Sequence, residues 1–261
     1  MNSGLLKTKK DPRDYDYGRT FGISLEPLPD EYIISPLSIK NQGQTDFCTA
    51  AATCALAEAQ DGVKFSFEWF FSRYGKPGVY GANLRTAMKA VLSGFIPADK
   101  APFTISDKDR DFLADKNNWP YNLNIMASTY GKHRFFNVDG NFESIKRVLW
   151  ANRNEKRAIL TGVMWYDEWT YSKDGYVSPA YNIQAGLHAI AIIGFKGEYL
   201  IVQNSYGEDI GDNGLFYFSK EIFDREFSEP MFMYVDLATE GPIQTTGNFL
   251  QRLLFKLKNL C

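Results

Sequence analysis

Cysteine and histidine are scarce in this 261-residue chain, with three cysteines (Cys48, Cys54, Cys261) and two histidines (His133, His188). An odd cysteine count without paired spacing argues against a disulfide framework and is compatible with a reducing compartment. No cluster of His, Cys and carboxylates has ligand spacing, so no zinc site, and no cofactor of any kind, is expected. No Gly-rich phosphate loop follows a strand pattern. No window approaches the ~20 apolar residues of a spanning helix, so no membrane span is expected. Neither sign of charge dominates, and a net charge of -2 leaves no electrostatic case for a nucleic-acid partner. The opening MNSGLLKTKKDPRDYDYG is basic but has no continuous apolar stretch. It is not a secretory signal, and cytoplasmic residence is the expectation, although a virion component or secreted cargo would look the same.

What is present is a globular balance, 44% hydrophobic and 23% charged, far from the composition of disordered chains. Residues 1–30 are polar and rich in Pro and Gly, and read as an extended arm, partly ordered at best. Residues 31–240 read as the body. Its first part, about 40–125, is helical: CTAAATCALAEAQ from Cys48 is rich in the best helix formers. SFEWFFSRYG follows with Ser66 as N-cap. ANLRTAMKAVLSG puts Leu84, Ala87, Met88 and Val91 on one helical face and stops at Gly94. Beyond it, in the second part, NFESIKRVLWANR from Asn141 is one more helix, with Phe142, Ile145, Val148 and Leu149 on one face. The second part, about 126–238, turns to short strands (AILTGVMWY, HAIAIIGF, YLIVQNSY, GLFYFS, MFMYVDL) separated by Gly, Asp, Asn and Lys turns. Helices first and strands later predict an α+β protein of two lobes with a cleft between them. In the tail, 241–261, leucines from Leu250 to Leu260 recur at helical spacing beside Arg252, Lys256 and Lys258. A helix over 248–260 docked on the body is the plain expectation, and a protein-partner or membrane-surface helix the sharper one.

A thiol nucleophile needs a lowered pKa, a base within reach and donors for the oxyanion. The stretch NQGQTDFCTAAA places Cys48 where a helix begins, with Thr45 or Asp46 as its cap, so that the helix N-terminus favours a thiolate. Gln42 stands six residues earlier, and its side-chain amide together with the Cys48 N–H makes a candidate oxyanion hole. The stretch GLHAIAIIGFKGEYLIVQNSYG reads as two antiparallel strands, with His188 opening the first and Asn204 closing the second. Asn204 would then accept from His188 and fix its tautomer, with Tyr206 shielding that bond.

These stretches carry a family resemblance. QGQTDFCTA resembles the nucleophile motif of papain-like cysteine peptidases, in which Gln-Gly precedes the Cys at the same interval. HAIAIIGF followed by YLIVQNSYGEDIGDNGLFYF resembles that family's His strand and Asn-Ser-Trp-Gly box, with the same separation of sixteen residues. DPRDYDY, GANLRTAMKAV, FESIKRVLW and DGYV are similar to its bacterial and phage-like branch. The resemblance spans roughly residues 11–236. It implies Cys48 as nucleophile, His188 as general acid/base, Asn204 as orienting residue and Gln42 as oxyanion donor. It implies a helical left lobe and an antiparallel, β-barrel-like right lobe, acting on a peptide or protein substrate. Gly81, Asp46, Phe47, Leu187 and Tyr206 are the implied substrate-binding positions. Gly81 matches the glycine against which substrate backbone lies. Two departures stand out: Thr45 replaces a half-cystine, and Asp46-Phe47 replaces a small Gly-Ser. On this reading Phe47 narrows the primary pocket, and Asp46 raises the thiol pKa and favours cationic groups. No long helical prosegment precedes the site, so any latency falls to the arm or to a partner.

Each residue also has a plainer role. A cysteine in an Ala-rich helix is usually core, which suits Cys54, and a lone histidine is usually structural, which suits His133. Only the joint spacing of Gln42, Cys48, His188 and Asn204 lifts them above that. The acidic residues between 107 and 115 read as a solvated helix face. Two other functions remain open: the same fold as a structural or binding component of a larger assembly, and a Cys-dependent transpeptidase or amidase.

Overall fold

A computed structural model describes residues 4–22, 25–131, 134–180 and 184–235. His133, Cys261 and the 241–261 tail with its expected helix lie outside the described residues. In chain order the elements are α1 (Tyr17–Phe21), β1 (Glu31–Ile33), α2 (Cys48–Asp61), α3 (Phe67–Ser72), α4 (Leu84–Ala90), α5 (Arg110–Ala114), α6 (Asn122–Ser128), β2 (Arg134–Val138), α7 (Phe142–Ala151), β3 (Ile159–Tyr166), α8 (Asp167–Thr170), β4 (Gln184–Lys196), β5 (Tyr199–Gln203), β6 (Leu215–Ser219), α9 (Lys220–Glu226) and β7 (Met231–Val235).

Helix α2 is the axis of the first half. Its residues from Cys48 to Glu58 are all buried, which its alanines permit, because small side chains let sheet and neighbouring helices approach from several sides. It ends at Gly62, which takes the left-handed conformation (φ 66°) and returns its N–H to Glu58 O, a glycine cap that satisfies a terminal carbonyl. Glu58 is buried, and its carboxylate is saturated by Lys40 Nζ, the Phe65 N–H at 2.7 Å and Ser38 Oγ at 2.7 Å. That full complement is what makes a buried charge tolerable. Ser66 caps α3 as expected, its Oγ accepting from Trp69 N, and the face of Leu84, Ala87, Met88 and Val91 is fully buried.

The strands form one antiparallel seven-stranded sheet in the order β2-β7-β3-β4-β5-β6, with β1 pairing to β4. The β-barrel-like lobe expected from the resemblance is an open sheet, with β2 and β6 at the ends of that order. Period-two alternation splits the core of β3 and β4. Leu160, Ala189 and Ala191 face the cluster built on α2 and α3. Val163, Trp165, Ile190 and Ile192 face a second cluster with Phe142, Ile145, Val148 and Leu149 of α7. Both faces of these strands are thus covered, which explains their near-continuous apolar sequence. Strand β4 is longer than expected and begins at Gln184, so His188 lies inside it rather than at its start.

Candidate active site

Cys48 is the first residue of α2, and His188 and Ala189 are consecutive on β4, which crosses that helix. The Cys48 thiol is completely buried, and the backbone N–H groups of Ala189, Gly4 and Thr49 are directed at its sulfur. His188 is also fully buried. Its Nε2 donates to Asn204 Oδ1 at 2.7 Å, and Tyr206 OH donates to its Nδ1 at 3.2 Å. That pair of bonds describes a neutral imidazole with its proton on Nε2. The Tyr206 ring stacks on the imidazole at 4.6 Å and Trp165 meets its edge at 5.3 Å, so the His188–Asn204 bond is shut off from water. Asn204 Oδ1 also accepts from Ser205 N at 2.7 Å.

The two sequence clusters are stitched together by backbone. Gln42 N donates to Ser205 O, and Gly207 N to Lys40 O, both at 2.9 Å. Gln42 is buried beneath this join. Its Nε2 donates to Thr45 O at 2.7 Å, and its Oε1 accepts from Ser205 Oγ at 2.6 Å.

The protonation state runs against the sequence expectation. Burial pushes the Cys48 thiol up to about 11, only partly offset by the amides around it, and Asp46 adds a smaller push in the same direction. Burial likewise pulls His188 down to about 4, against the opposing effect of Asn204. Near neutral pH the pair is thiol and imidazole rather than thiolate and imidazolium. Desolvation outweighs the helix N-terminus here because the sulfur has no contact with solvent.

The cause is the N-terminal arm. Read as partly ordered from sequence, it lies in the cleft over Cys48. Leu5 N donates to Leu187 O at 3.3 Å, Leu6 N to Ala82 O at 2.9 Å, and Ala82 N to Gly4 O at 2.9 Å. Leu5 is buried against Gly162 of β3. Thr8 joins the two halves of the molecule: its N–H reaches Glu229 Oε2 at 2.7 Å and its hydroxyl accepts from Leu84 N at 3.1 Å. Gly4 sits so close that a Cβ there would lie 2.1 Å from Asp46 O.

Of the residues assigned to substrate binding, Gly81 and Leu187 line the segment where the arm is held. Gly81 has φ 78° and faces Gly4 O and Leu6. Tyr206 packs on His188. Two assignments are corrected. Phe47 narrows no pocket: it is fully buried and stacked on Phe71 at 4.1 Å, a core role that stabilises by about 1.5–3 kcal/mol. Asp46 offers no free carboxylate to a cationic group: it is buried, paired bidentately with Arg110 and bonded to Gly81 N. Nor does Thr45 or Asp46 cap α2. The cap position is Phe47, with no side-chain bond. Arg110 was missed because the acidic run around it reads as a solvated face. Among the described residues no group of three or more His, Cys, Asp or Glu is placed to hold a metal, and no helix is long and apolar enough to cross a membrane.

A cysteine at the head of a buried helix, set against a histidine strand bonded to asparagine, under an open antiparallel sheet, defines the α+β papain-like fold. Solved structures bear this out. Xylellain, a cysteine protease from Xylella fastidiosa, superposes with a TM-score of 0.74 at 17% identity, over 90% of this chain and 96% of that one. Procathepsin B S9 from Trypanosoma congolense gives 0.70 at 16%, over 88% and 85%. Procathepsin L 3 from Tenebrio molitor larval midgut gives 0.60 at 18%, over 81% and 71%. No family model matches the sequence, and no curated protein matches it. At these identities the likeness is one of fold.

Proposed function

We propose that this protein is a cysteine endopeptidase of papain-like type, held latent in the conformation described. The carrying observation is the Nε2–Asn204 bond of His188 at 2.7 Å, on the strand whose next residue, Ala189, directs its N–H at the Cys48 sulfur. With the cleft open to water the thiol loses its desolvation penalty, and His188 Nδ1 becomes the acceptor for its proton. The thiolate attacks the peptide carbonyl, and the Cys48 N–H with the second Gln42 Nε2 proton stabilises the oxyanion. The imidazolium returns its proton to the leaving amine, and water, deprotonated by His188, releases the acyl group. The arm supports the peptidase reading, because its backbone from Gly4 to Leu6 lies in the cleft bonded to Ala82 on one side and Leu187 on the other. It escapes attack because it presents an N–H to the sulfur, while the Gly4 carbonyl is held by Ala82 N.

Gly4→Ala tests this directly. Its methyl cannot fit beside Asp46 O, so the arm is expelled. The Gly4→Ala chain is expected to react with an epoxide cysteine-peptidase probe at Cys48 and to hydrolyse a peptide library. Adding Cys48→Ala is expected to lower turnover by roughly 10⁴-fold or more, and adding His188→Ala to abolish labelling. Turnover that survives Cys48→Ala would falsify the mechanism. A second reading, a papain-like fold serving as a binding component, is favoured by the occupied Nδ1 of His188 and the covered cleft. An arm-released chain that neither labels nor hydrolyses would establish it. Capture of an added amine in the product would mark a transpeptidase instead.

A further inference from the structure

The loop 76–82 supplies the backbone edge that holds whatever lies in the cleft: Ala82 N and O bond the arm at Gly4 and Leu6. The loop has no cysteine, and among the described residues Cys48 and Cys54 are both free, so no disulfide fixes this edge. One side chain ties it to the nucleophile loop instead. Arg110, the first residue of α5, uses all five of its N–H donors. Nε donates to Asp46 Oδ1 and Nη2 to Asp46 Oδ2, each at 2.8 Å. The other Nη2 donor goes to Val79 O. Nη1 donates to Lys76 O at 2.8 Å and to Asp111 Oδ1 at 2.9 Å. The guanidinium lies between rings, 5.3 Å from the Phe71 centroid and 4.8 Å from that of Tyr80. Its side chain is 11% exposed and that of Asp46 3%, so the pair is shielded from salt and water. Asp46 completes the link by accepting from Gly81 N.

The geometry points to Arg110 as a positioning residue that sets the Gly81–Ala82 edge at a fixed distance from Cys48. The path is short: Ala82, Gly81 N, the Asp46 carboxylate, then Phe47 locked on Phe71, then Cys48. It is also over-determined, since Arg110 grips the loop at Lys76 O and Val79 O while Asp46 grips it at Gly81. A lysine at 110 has three donors without a planar fork and cannot reproduce five bonds in one plane. That the edge serves a peptide substrate rests on the function proposed above; the clamp itself does not.

Arg110→Lys and Asp46→Asn test it by two routes. In the full chain, hydrogen exchange at the Gly81 and Ala82 amides is expected to accelerate by roughly tenfold or more, the factor one charge-assisted bond represents. Exchange in the middle of α2 is expected to stay unchanged. On the Gly4→Ala background, Arg110→Lys is expected to raise the peptide KM about tenfold with kcat within about twofold. Alkylation of Cys48 by iodoacetamide, which needs no edge, is expected to keep its rate. Unchanged exchange at Gly81 and Ala82 in both variants, or a fall in kcat at constant KM, overturns the assignment. A uniform rise in exchange across α2 as well reduces Arg110 to a general stabiliser and overturns it too. If the Gly4→Ala chain hydrolyses nothing, the functional reading fails while the exchange measurement still decides the clamp.

Discussion

Cys48 and His188 each carry a protonation state set by burial, and the two oppose one another across the pH scale. His188 has an ordinary value of 6.5 and is held near 4 when folded. Between those values the unfolded chain takes the proton first. The stability this group supports is therefore complete above pH 6.5 and is lost as pH falls through 4. Cys48 runs the other way: its ordinary value is 9 and its folded value about 11. Its contribution is complete below pH 9 and is lost as pH rises through 11. Each limb is worth about 3 kcal/mol. The midpoint of urea unfolding is expected to be flat between pH 6.5 and 9 and to fall on either side. Replacing His188 with Gln is expected to flatten the acid limb. A wild-type midpoint that climbs on acidification from 6.5 to 4 contradicts the assignment. At this scale the sequence was legible wherever spacing carried the information. Cys48 at a helix start and the bond between His188 and Asn204 were legible because helix starts and hairpin pairing are local properties. Asp46 and Phe47 were misread because their partners, Arg110 and Phe71, are remote in sequence, and nothing near residue 46 announces an arginine 64 positions away.

Helix α2 and strand β4 were both legible as elements, one from its alanines and the other from its apolar run. The irregularities within them were not. The β4–β5 register shifts between Ile192 and Gly194, where β1 crosses so closely that a Cβ on Gly194 would lie 2.2 Å from Tyr32 O. A glycine in a strand marks such an approach, but sequence does not say which backbone approaches. Gly194→Ala is expected to push β1 from the sheet and to cost about 1–3 kcal/mol, measured by urea unfolding. An unchanged midpoint would mean that β1 contributes nothing to β4. The short elements α6 and β2 escaped the sequence reading because each is too brief to show a period, while α5 was legible as a helix but not as the carrier of a largely buried Arg110.

Across the whole molecule the arm is the feature that composition misjudged. Its polar, Pro- and Gly-rich sequence cannot build a core, and its order comes from docking. Beyond the cleft it is fastened by Arg85 to Asp14 and to Lys9 O, by Tyr15 O to Asn137 N, and by Tyr17 OH to Asn152. Just outside the cleft, the Thr8 N–H fastens it to Glu229 of the second half. Thr8→Pro removes that donor, and a bond to a charged group of this kind is worth about a tenfold change in occupancy. Iodoacetamide labelling of Cys48 at neutral pH is expected to accelerate by roughly that factor. No acceleration would show that Glu229 does not hold the arm.

A segment tethered to its own binding site does not dilute. Such a tether sustains an effective concentration on the order of millimolar at any protein concentration. A peptide present at micromolar levels in trans therefore competes at a disadvantage of roughly a thousandfold for equal intrinsic affinity. Occupancy of this cleft is then a unimolecular property, the same in a crowded compartment as in a dilute one. Opening it is a matter of severing or pulling the tether rather than of supplying more of a competing peptide.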